Sequence, residues 1–247
     1  MVSPDSGAVS GGVIKSFLDI FFPPVCPACE DDVAAGQAPL CRDCSSAFSK
    51  HLISSPLCTL CGVPFVSGVG EDRLCGECLM DEPPFRLARS AYVYKGGVLD
   101  AIHGLKYYGR VILAGPLGEL LADCAETLPE RPDLVVPVPL HKARLRSRGF
   151  NQALLLAKKT ARRLSIRLDY LNLRGTVPTR PQVALSSRER RDNVKGVFAV
   201  KDPGAFSGRL VLLVDDVFTT GSTVRECAKV LKKAGAETIV LTLARAV

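Results

Sequence analysis

The fold is decided by residues 211–223, which read VLLVDDVFTTGST. Four apolar residues predict a buried strand, and two acidic residues follow it. A turn of hydroxyl residues and glycine then leads into an amphipathic helix predicted over 222–234, with Gly235 as its C-cap. A strand that passes through a short turn into a helix is typical of parallel α/β sheets.

Further strands and helices alternate before and after this stretch. Apolar runs predict strands over 91–94, 134–138, 210–214 and 238–243. Apolar residues that recur every three or four positions predict helices over 97–105, 113–128 and 151–164. The alternation predicts a mostly parallel, doubly wound sheet of the α/β class.

The acidic pair and the turn after it have the chemistry of a sugar-phosphate site. Backbone N–H groups at a helix N-terminus and the hydroxyls of the turn can hold a phosphate. The adjacent carboxylates of Asp215 and Asp216 suit a vicinal diol, so the segment can hold a ribose 5-phosphate at both ends. The residues of this candidate phosphate loop are Thr219, Thr220, Gly221, Ser222 and Thr223. A capped helix preceded by two solvated acids is the alternative.

Eight of the ten cysteines form four C-x-x-C pairs in the first third of the chain. The pairs are Cys26 and Cys29, Cys41 and Cys44, Cys58 and Cys61, and Cys75 and Cys78. Two such pairs close a tetrahedral thiolate site, so the pattern predicts two structural Zn²⁺ sites without an open position. Sequential pairing is the simplest arrangement, and an interleaved one would use the same residues. Redox thiols and iron–sulfur clusters are the alternatives.

Composition favours a cytoplasmic protein. The N-terminal segment lacks the basic region of a signal peptide, and no stretch is apolar enough for membrane insertion. Thiols stay reduced in the cytoplasm, which favours metal sites over disulfides. The net charge of +7 suits phosphate-bearing ligands, nucleic acid included, and is also common among ordinary globular proteins.

Residues 211–223 resemble, over their whole length, the phosphoribosyl pyrophosphate signature of type I phosphoribosyltransferases. The segments LKYYG at 105–109, PVPL at 137–140 and RGFNQA at 148–153 strengthen the resemblance. With the four cysteine pairs, they identify the chain as a member of the ComF family of competence-associated proteins. The resemblance implies a double zinc ribbon over 17–80 and a type I phosphoribosyltransferase-like domain over 88–247. Acidic residues and a Pro-Pro pair at 80–84 predict a linker between them.

The resemblance also implies roles for individual residues. In type I phosphoribosyltransferases the acidic pair contacts the ribose hydroxyls, a loop after an earlier strand takes the pyrophosphate with Mg²⁺, and a flexible loop closes over the site. The candidate pyrophosphate loop spans 140–148, with Leu140, Lys142, Arg144, Arg146 and Arg148. The candidate flexible-loop residues are Arg180, Gln182, Arg188, Arg191 and Asn193. The basic run could instead be a solvated face, and Lys106 could reach a phosphate or cap a helix.

Three functions are consistent with this sequence. One is a phosphoribosyltransferase that displaces pyrophosphate from the anomeric carbon with an acceptor that the sequence does not identify. A second is a single-stranded-DNA-binding accessory factor for DNA uptake or processing, beside a competence helicase-like partner. The third is a phosphoribosyl pyrophosphate sensor without turnover. Aromatic residues make up only 6% of the chain, which disfavours base stacking as the main mode of binding.

Overall fold

A computed structural model describes residues 24–33, 40–177 and 194–247. Five parallel strands form one sheet, and they are β1 (Leu87–Val93), β2 (Leu134–Pro137), β3 (Arg167–Leu168), β6 (Leu210–Phe218) and β7 (Glu237–Arg245). Their order in the sheet is β1-β7-β6-β2-β3. Two more strands, β4 (Leu173–Gly175) and β5 (Phe198–Val200), pair antiparallel beside this sheet. The predicted parallel α/β architecture is confirmed.

Helices cover both faces of the sheet. They are α1 (Arg42–Ser49), α2 (Gly76–Met80), α3 (Gly96–Tyr107), α4 (Ala114–Glu126), α5 (Lys142–Arg148), α6 (Gln152–Leu164) and α7 (Ser222–Lys233), with 3₁₀ turns at Val111–Leu113 and Pro203–Ala205. The core on one face contains side chains of α3, α4 and α6, and the core on the other contains those of α7. Within the described ranges, no helix is both long enough and apolar enough to cross a bilayer.

The central strand β6 contributes side chains to both cores, and it extends further than its apolar run predicts. Val211 and Leu213 belong to the core under α7, whereas Leu212 and Val214 belong to the opposite core, because side chains alternate along a strand. Pairing with β7 continues to Phe218, opposite Arg245. The two acidic residues therefore lie within the strand, not beyond its end.

The cysteine-rich segment packs directly against the sheet. Within the predicted linker at 80–84, the Asp81 carboxylate pairs with Arg225 of α7 at 3.2 Å. The backbone N–H of Ala88 in β1 donates to the Leu60 carbonyl at 2.6 Å. On the other side, the ring of Phe48 in α1 packs edge-on against Tyr92 of β1. Both halves of the segment are thus held by the α/β unit.

Candidate functional site

The carboxyl ends of β2 and β6 meet at one edge of the sheet and border a cavity of about 130 Å³. The two strands are parallel neighbours, with Pro137 beside Val214, so the loops that follow them converge. Of the predicted site residues, the cavity is lined by Leu140, Arg144, Arg148, Asp215, Asp216, Thr219, Gly221, Ser222 and Thr223. The fold therefore brings the candidate pyrophosphate segment and the phosphate loop to one place.

The two acidic residues at this cavity have different surroundings. Asp216 is only 4% exposed, and its Oδ2 lies 2.8 Å from Nζ of Lys106 at the end of α3. Its Oδ1 accepts a hydrogen bond from the Val217 N–H. Asp215 is half-buried, and its Oδ1 accepts from the N–H of Asp216. The pair is thus one lysine-bound carboxylate beside a second carboxyl group that faces the cavity.

These surroundings shift the pKa values of Asp215, Asp216 and Lys106. Burial acts to raise the pKa of Asp216, but the Lys106 ammonium outweighs it and holds that pKa below its usual value. Burial and the charge of Asp216 raise the pKa of Asp215 to about 8. The pKa of Lys106 is raised, since the attraction of Asp216 exceeds the effect of burial. At neutral pH, Asp216 and Lys106 are therefore charged and Asp215 is protonated.

Asp215→Asn is expected to stabilise the protein, increasingly so as the pH rises. The carboxyl holds its proton up to about pH 8 in the folded state but only to about 3.8 when unfolded, so folding must take up a proton and the free energy of unfolding falls as pH rises between these values. Asparagine is neutral in both the folded and the unfolded state, so the variant does not lose this free energy of unfolding as the pH rises. Thermal melting across this range should show a widening gain, at about 2–4 °C per kcal/mol. An equal pH slope in both proteins would contradict the raised pKa, and Asp100→Asn on the exposed face of α3 is the control.

The phosphate loop is shaped by a glycine that no other residue can easily replace. Gly221 directly precedes α7 and has a φ of 70°, the left-handed region. A Cβ at this position would lie 2.5 Å from Cζ of Phe218. The hydroxyls of Thr220 and Ser222 share a hydrogen bond of 2.7 Å, and Thr220 is not among the described residues that border the cavity. The turn therefore presents the N-terminus of α7 to the cavity.

Gly221→Ala should weaken ligand binding at the cavity and destabilise the protein. The left-handed backbone costs a non-glycine residue about 1–2 kcal/mol, and the methyl group also forces the Phe218 ring or the loop to move. Gly208→Ala is the matched control, since Gly208 has a φ of 67° and open space around its Cβ position. Calorimetric affinity should fall at least about tenfold in Gly221→Ala alone, and equal affinities would argue against contact between ligand and loop.

The candidate pyrophosphate segment is mostly helical. Residues 142–148 form α5, where a loop had been expected. Arg144 and Arg148 are four positions apart and share the helix face that borders the cavity, whereas Lys142 and Arg146 are exposed and do not border its described part. Arg148 donates to the Gln152 side chain at 2.7 Å. Helical periodicity thus divides the basic run between the cavity and the outer surface.

Several cavity residues were missed or left undecided by the sequence interpretation. Lys106, for which the sequence left a phosphate contact and a helix cap open, lines the cavity and pairs with Asp216. The antiparallel strands β4 and β5 and residues near them add an apolar wall that no motif indicates. That wall comprises Gly175, Val177, Val194, Val197 and Phe198. The predicted flexible-loop residues Arg180, Gln182, Arg188, Arg191 and Asn193 lie outside the described residues.

The eight paired cysteines form two clusters of the sequential kind. In each cluster the four Sγ atoms lie within 4.8 Å of one another, as ligands of a single ion do. The first cluster joins Cys26, Cys29, Cys41 and Cys44, and the second joins Cys58, Cys61, Cys75 and Cys78. The described residues thus offer two four-cysteine zinc-binding sites, and the interleaved arrangement is not the one formed.

Backbone groups prepare one thiol in each cluster for metal binding. Burial would raise the pKa of Cys58, but the N–H groups of Cys61 and Cys75 lower it to about 6. Cys26 has the same pattern, with the N–H of Cys41 at 3.4 Å from its Sγ and a pKa of about 6. Zinc binds cysteine in the thiolate form, so hydrogen bonds that favour the thiolate are consistent with zinc at both clusters.

Known proteins resemble the chain in both parts. A family described as a double zinc ribbon domain matches residues 17–79, and one described as a phosphoribosyl transferase domain matches residues 116–245. DNA utilization protein YhgH of Escherichia coli O6:H1 is 35% identical over 224 residues, 88% of this chain and 94% of that protein. Competence protein F of Haemophilus influenzae is 34% identical over 237 residues, 92% of this chain and 99% of that protein. The solved allosteric regulatory enzyme of purine biosynthesis is 21% identical, covers 53% of this chain and 26% of its own, and has a TM-score of 0.38.

Proposed function

Because the chain belongs to the ComF family, we propose that it binds phosphoribosyl pyrophosphate with Mg²⁺ in the cavity at the carboxyl ends of β2 and β6. The main support is that one cavity combines an acidic pair, a hydroxyl-rich helix N-terminus and two arginines. Carboxylates suit the ribose hydroxyls, the helix N-terminus suits the 5-phosphate, and arginines suit the pyrophosphate. The ribose, the 5-phosphate and the pyrophosphate of the donor thus each have a matching group in the cavity.

Magnesium fits the donor atoms at the cavity. Mg²⁺ prefers carboxylate, phosphate and water oxygens, and the half-buried carboxyl of Asp215 supplies such an oxygen. A cation beside Asp215 would favour its ionised form, against the burial that now raises its pKa to about 8. When bound with the donor, the ion would neutralise part of the pyrophosphate charge.

A transfer reaction in this cavity needs positioning and electrostatic support. The bond from the anomeric carbon to the pyrophosphate oxygen breaks, pyrophosphate leaves with the electron pair, and the acceptor forms the new bond to that carbon. Arg144 and Arg148 would stabilise the charge on the leaving group. Asp216, kept ionised by Lys106, would stabilise the positive charge that develops on the ribose. Holding the donor in one orientation supplies the rest of the rate enhancement.

Titration calorimetry of the intact protein with phosphoribosyl pyrophosphate, with and without Mg²⁺, tests this proposal. Ribose 5-phosphate and pyrophosphate, titrated separately, show whether both halves of the cavity contribute. We expect the complete donor to bind more tightly than either fragment, and Mg²⁺ to increase its affinity. Absence of binding to the donor and to both fragments would refute the proposed site.

Release of pyrophosphate separates a transferase from a sensor. The protein, Mg²⁺ and donor are incubated with a panel of nucleobases and amines, and pyrophosphate is measured. Release that depends on one acceptor identifies a phosphoribosyltransferase. Tight donor binding without release over the whole panel favours a sensor.

The outer face of α5 favours a second candidate function, binding of single-stranded DNA. Lys142 and Arg146 are exposed and do not border the described cavity. On the outer surface they could contact the phosphates of a DNA strand. Relatives carry the names DNA utilization protein and Competence protein F. A role in DNA uptake or processing, beside a competence helicase-like partner, would use this face. The thiolate clusters further support a cytoplasmic location, where cysteines stay reduced.

Salt dependence of DNA affinity tests this second function. Each phosphate contact adds about 0.7 to the slope of log affinity against log salt for single strands. The double variant Lys142→Ala/Arg146→Ala should therefore reduce that slope by about 1.4. Lys232→Ala/Lys233→Ala removes two exposed charges at the end of α7 and is the control. Equal slopes in the two double variants would argue against this face.

A further inference from the structure

Arg245, the last residue of β7, connects the second cysteine cluster to the sheet. Its side chain lies in the interior, with the residue only 5% exposed. One guanidinium nitrogen, Nη1, donates to the carbonyl of Cys61 at 2.8 Å, and the other, Nη2, lies 3.6 Å from the Sγ of Cys61. A residue of the phosphoribosyltransferase-like unit thus touches a ligand atom of the zinc ribbon.

The buried charge of Arg245 needs a negative partner. An unpaired ion in a protein interior is costly, so buried arginines are normally paired with an anion. Among the described residues, no carboxylate makes an ion pair with Arg245. The Sγ of Cys61 is close enough for this role, and a zinc-bound thiolate carries the required negative charge.

On its other side, Arg245 reaches the phosphate loop through one aromatic ring. The guanidinium carbon lies 4.1 Å from the ring centroid of Phe218, a favourable cation–π contact. The Phe218 ring occupies the space beside Gly221, where a Cβ would be 2.5 Å from its Cζ. Cys61, Arg245, Phe218 and Gly221 therefore form one continuous series of contacts from a metal ligand to the candidate phosphate loop.

We propose that Arg245 is a positioning residue that supports zinc binding at Cys61 and sets the phosphate loop through Phe218, so that zinc in the second cluster and donor in the cavity bind cooperatively. The donor part of this proposal rests on the function proposed above. Coupling between two sites is reciprocal, so zinc must raise donor affinity by the same factor by which donor raises zinc affinity. The first cluster should lack this effect, because the described contacts of its ribbon are with α3, β1 and Arg110, and the cysteine that Arg245 contacts is in the second cluster.

Two ligand substitutions measure the coupling in the full chain. Cys75→Ser removes a ligand of the second cluster without altering Arg245 or Cys61, and Cys29→Ser is its matched control in the first cluster. Calorimetry should give a donor affinity about tenfold lower in Cys75→Ser than in Cys29→Ser, within the usual range of coupling between sites. In Cys29→Ser, saturating donor should slow zinc release to a chromophoric chelator from the remaining second cluster. Donor should leave zinc release from the first cluster of Cys75→Ser unchanged.

Cobalt substitution tests the contact of Arg245 with Cys61 directly. The absorption bands of Co²⁺–thiolate sites report the environment of the sulfur, and Arg245→Met should shift the bands of the second cluster. It should also lower the affinity of that cluster for metal by about 10–100-fold, as is usual when a group that hydrogen-bonds a ligand is lost. Arg89→Met is the control, since Arg89 donates to the carbonyls of Thr59, in the same ribbon, and of Ala88, and makes no hydrogen bond with a cysteine among the described residues.

The outcomes separate this proposal from the proposed function. Equal donor affinities in Cys75→Ser and Cys29→Ser, with normal binding by the wild type, would overturn the coupling and leave the donor site intact. A wild type that binds no donor would overturn both the donor site and its coupling. Cobalt bands unchanged by Arg245→Met would refute the support of Cys61 by Arg245 in either case.

Discussion

Replacing both acidic residues, as Asp215→Ala/Asp216→Ala, is expected to abolish measurable binding of phosphoribosyl pyrophosphate while zinc content stays unchanged. Hydrogen bonds to charged groups are worth about 1.5–3 kcal/mol each. With Mg²⁺ favouring the ionised form of Asp215, both acids are charged in the complex, so losing both hydrogen bonds costs about 3–6 kcal/mol of binding. That is roughly a hundredfold to ten-thousandfold fall in affinity. Calorimetry with Mg²⁺ measures the binding, and metal analysis of the same sample measures the zinc.

The single variants should differ, because the two acids have different partners. Asp216→Ala leaves the Lys106 ammonium without its carboxylate and should affect both stability and binding. Asp215→Ala removes a carboxyl that is protonated at neutral pH and should affect mainly binding with Mg²⁺. Asp100→Ala, on the exposed side of α3, is the control for loss of one acid. Donor affinity retained by the double variant would show that the acids do not hold the ribose.

Features that depend on adjacent residues were predictable from the sequence. In residues 211–223, a buried strand, a turn and a helix follow one another without any contribution from distant segments, and the structure forms all three. The C-x-x-C spacing likewise lets two thiols meet within one turn of chain, and the four pairs form two clusters in sequence order. Local periodicity also predicts α6 to within one residue of its observed bounds.

Features that depend on distant contacts were not predictable in the same way. The sequence cannot show that Lys106 meets Asp216, because only the packing of α3 against the sheet brings them together. Arg245 looks like an ordinary charged residue at the chain end, yet folding buries it beside Cys61. The basic run at 142–148 carries no long apolar stripe, so a helix of seven residues there escapes periodicity arguments. Strand β6 extends beyond its apolar run because its pairing with β7 continues.

Removing zinc with a strong chelator is expected to unfold the second ribbon and to leave the parallel sheet folded. The small core of this ribbon consists of Cys58, Cys61 and Cys78 with a few partly buried apolar side chains, so the ligands themselves are its interior. Structural zinc supplies about 10–16 kcal/mol in small zinc-binding peptides, more than such a core can replace. The sheet has separate apolar cores on its two faces and does not depend on metal ligands for most of its burial.

Limited proteolysis and circular dichroism before and after chelation distinguish the two parts. Cleavage should appear within 57–80 after chelation, while the fragment that contains the sheet resists the protease and keeps its helical signal. Cys58→Ser should reproduce this pattern at the second ribbon and lose one of the two zinc ions. Cys124→Ser makes the same substitution in α4, outside both clusters, and should keep both ions. Protease resistance of the ribbon without zinc would mean that contacts such as Ala88 with Leu60 hold it on the sheet unaided. In that event the second cysteine cluster would be dispensable for the folding of its ribbon, and the contact between Arg245 and Cys61 would be maintained by packing against β1 without the metal.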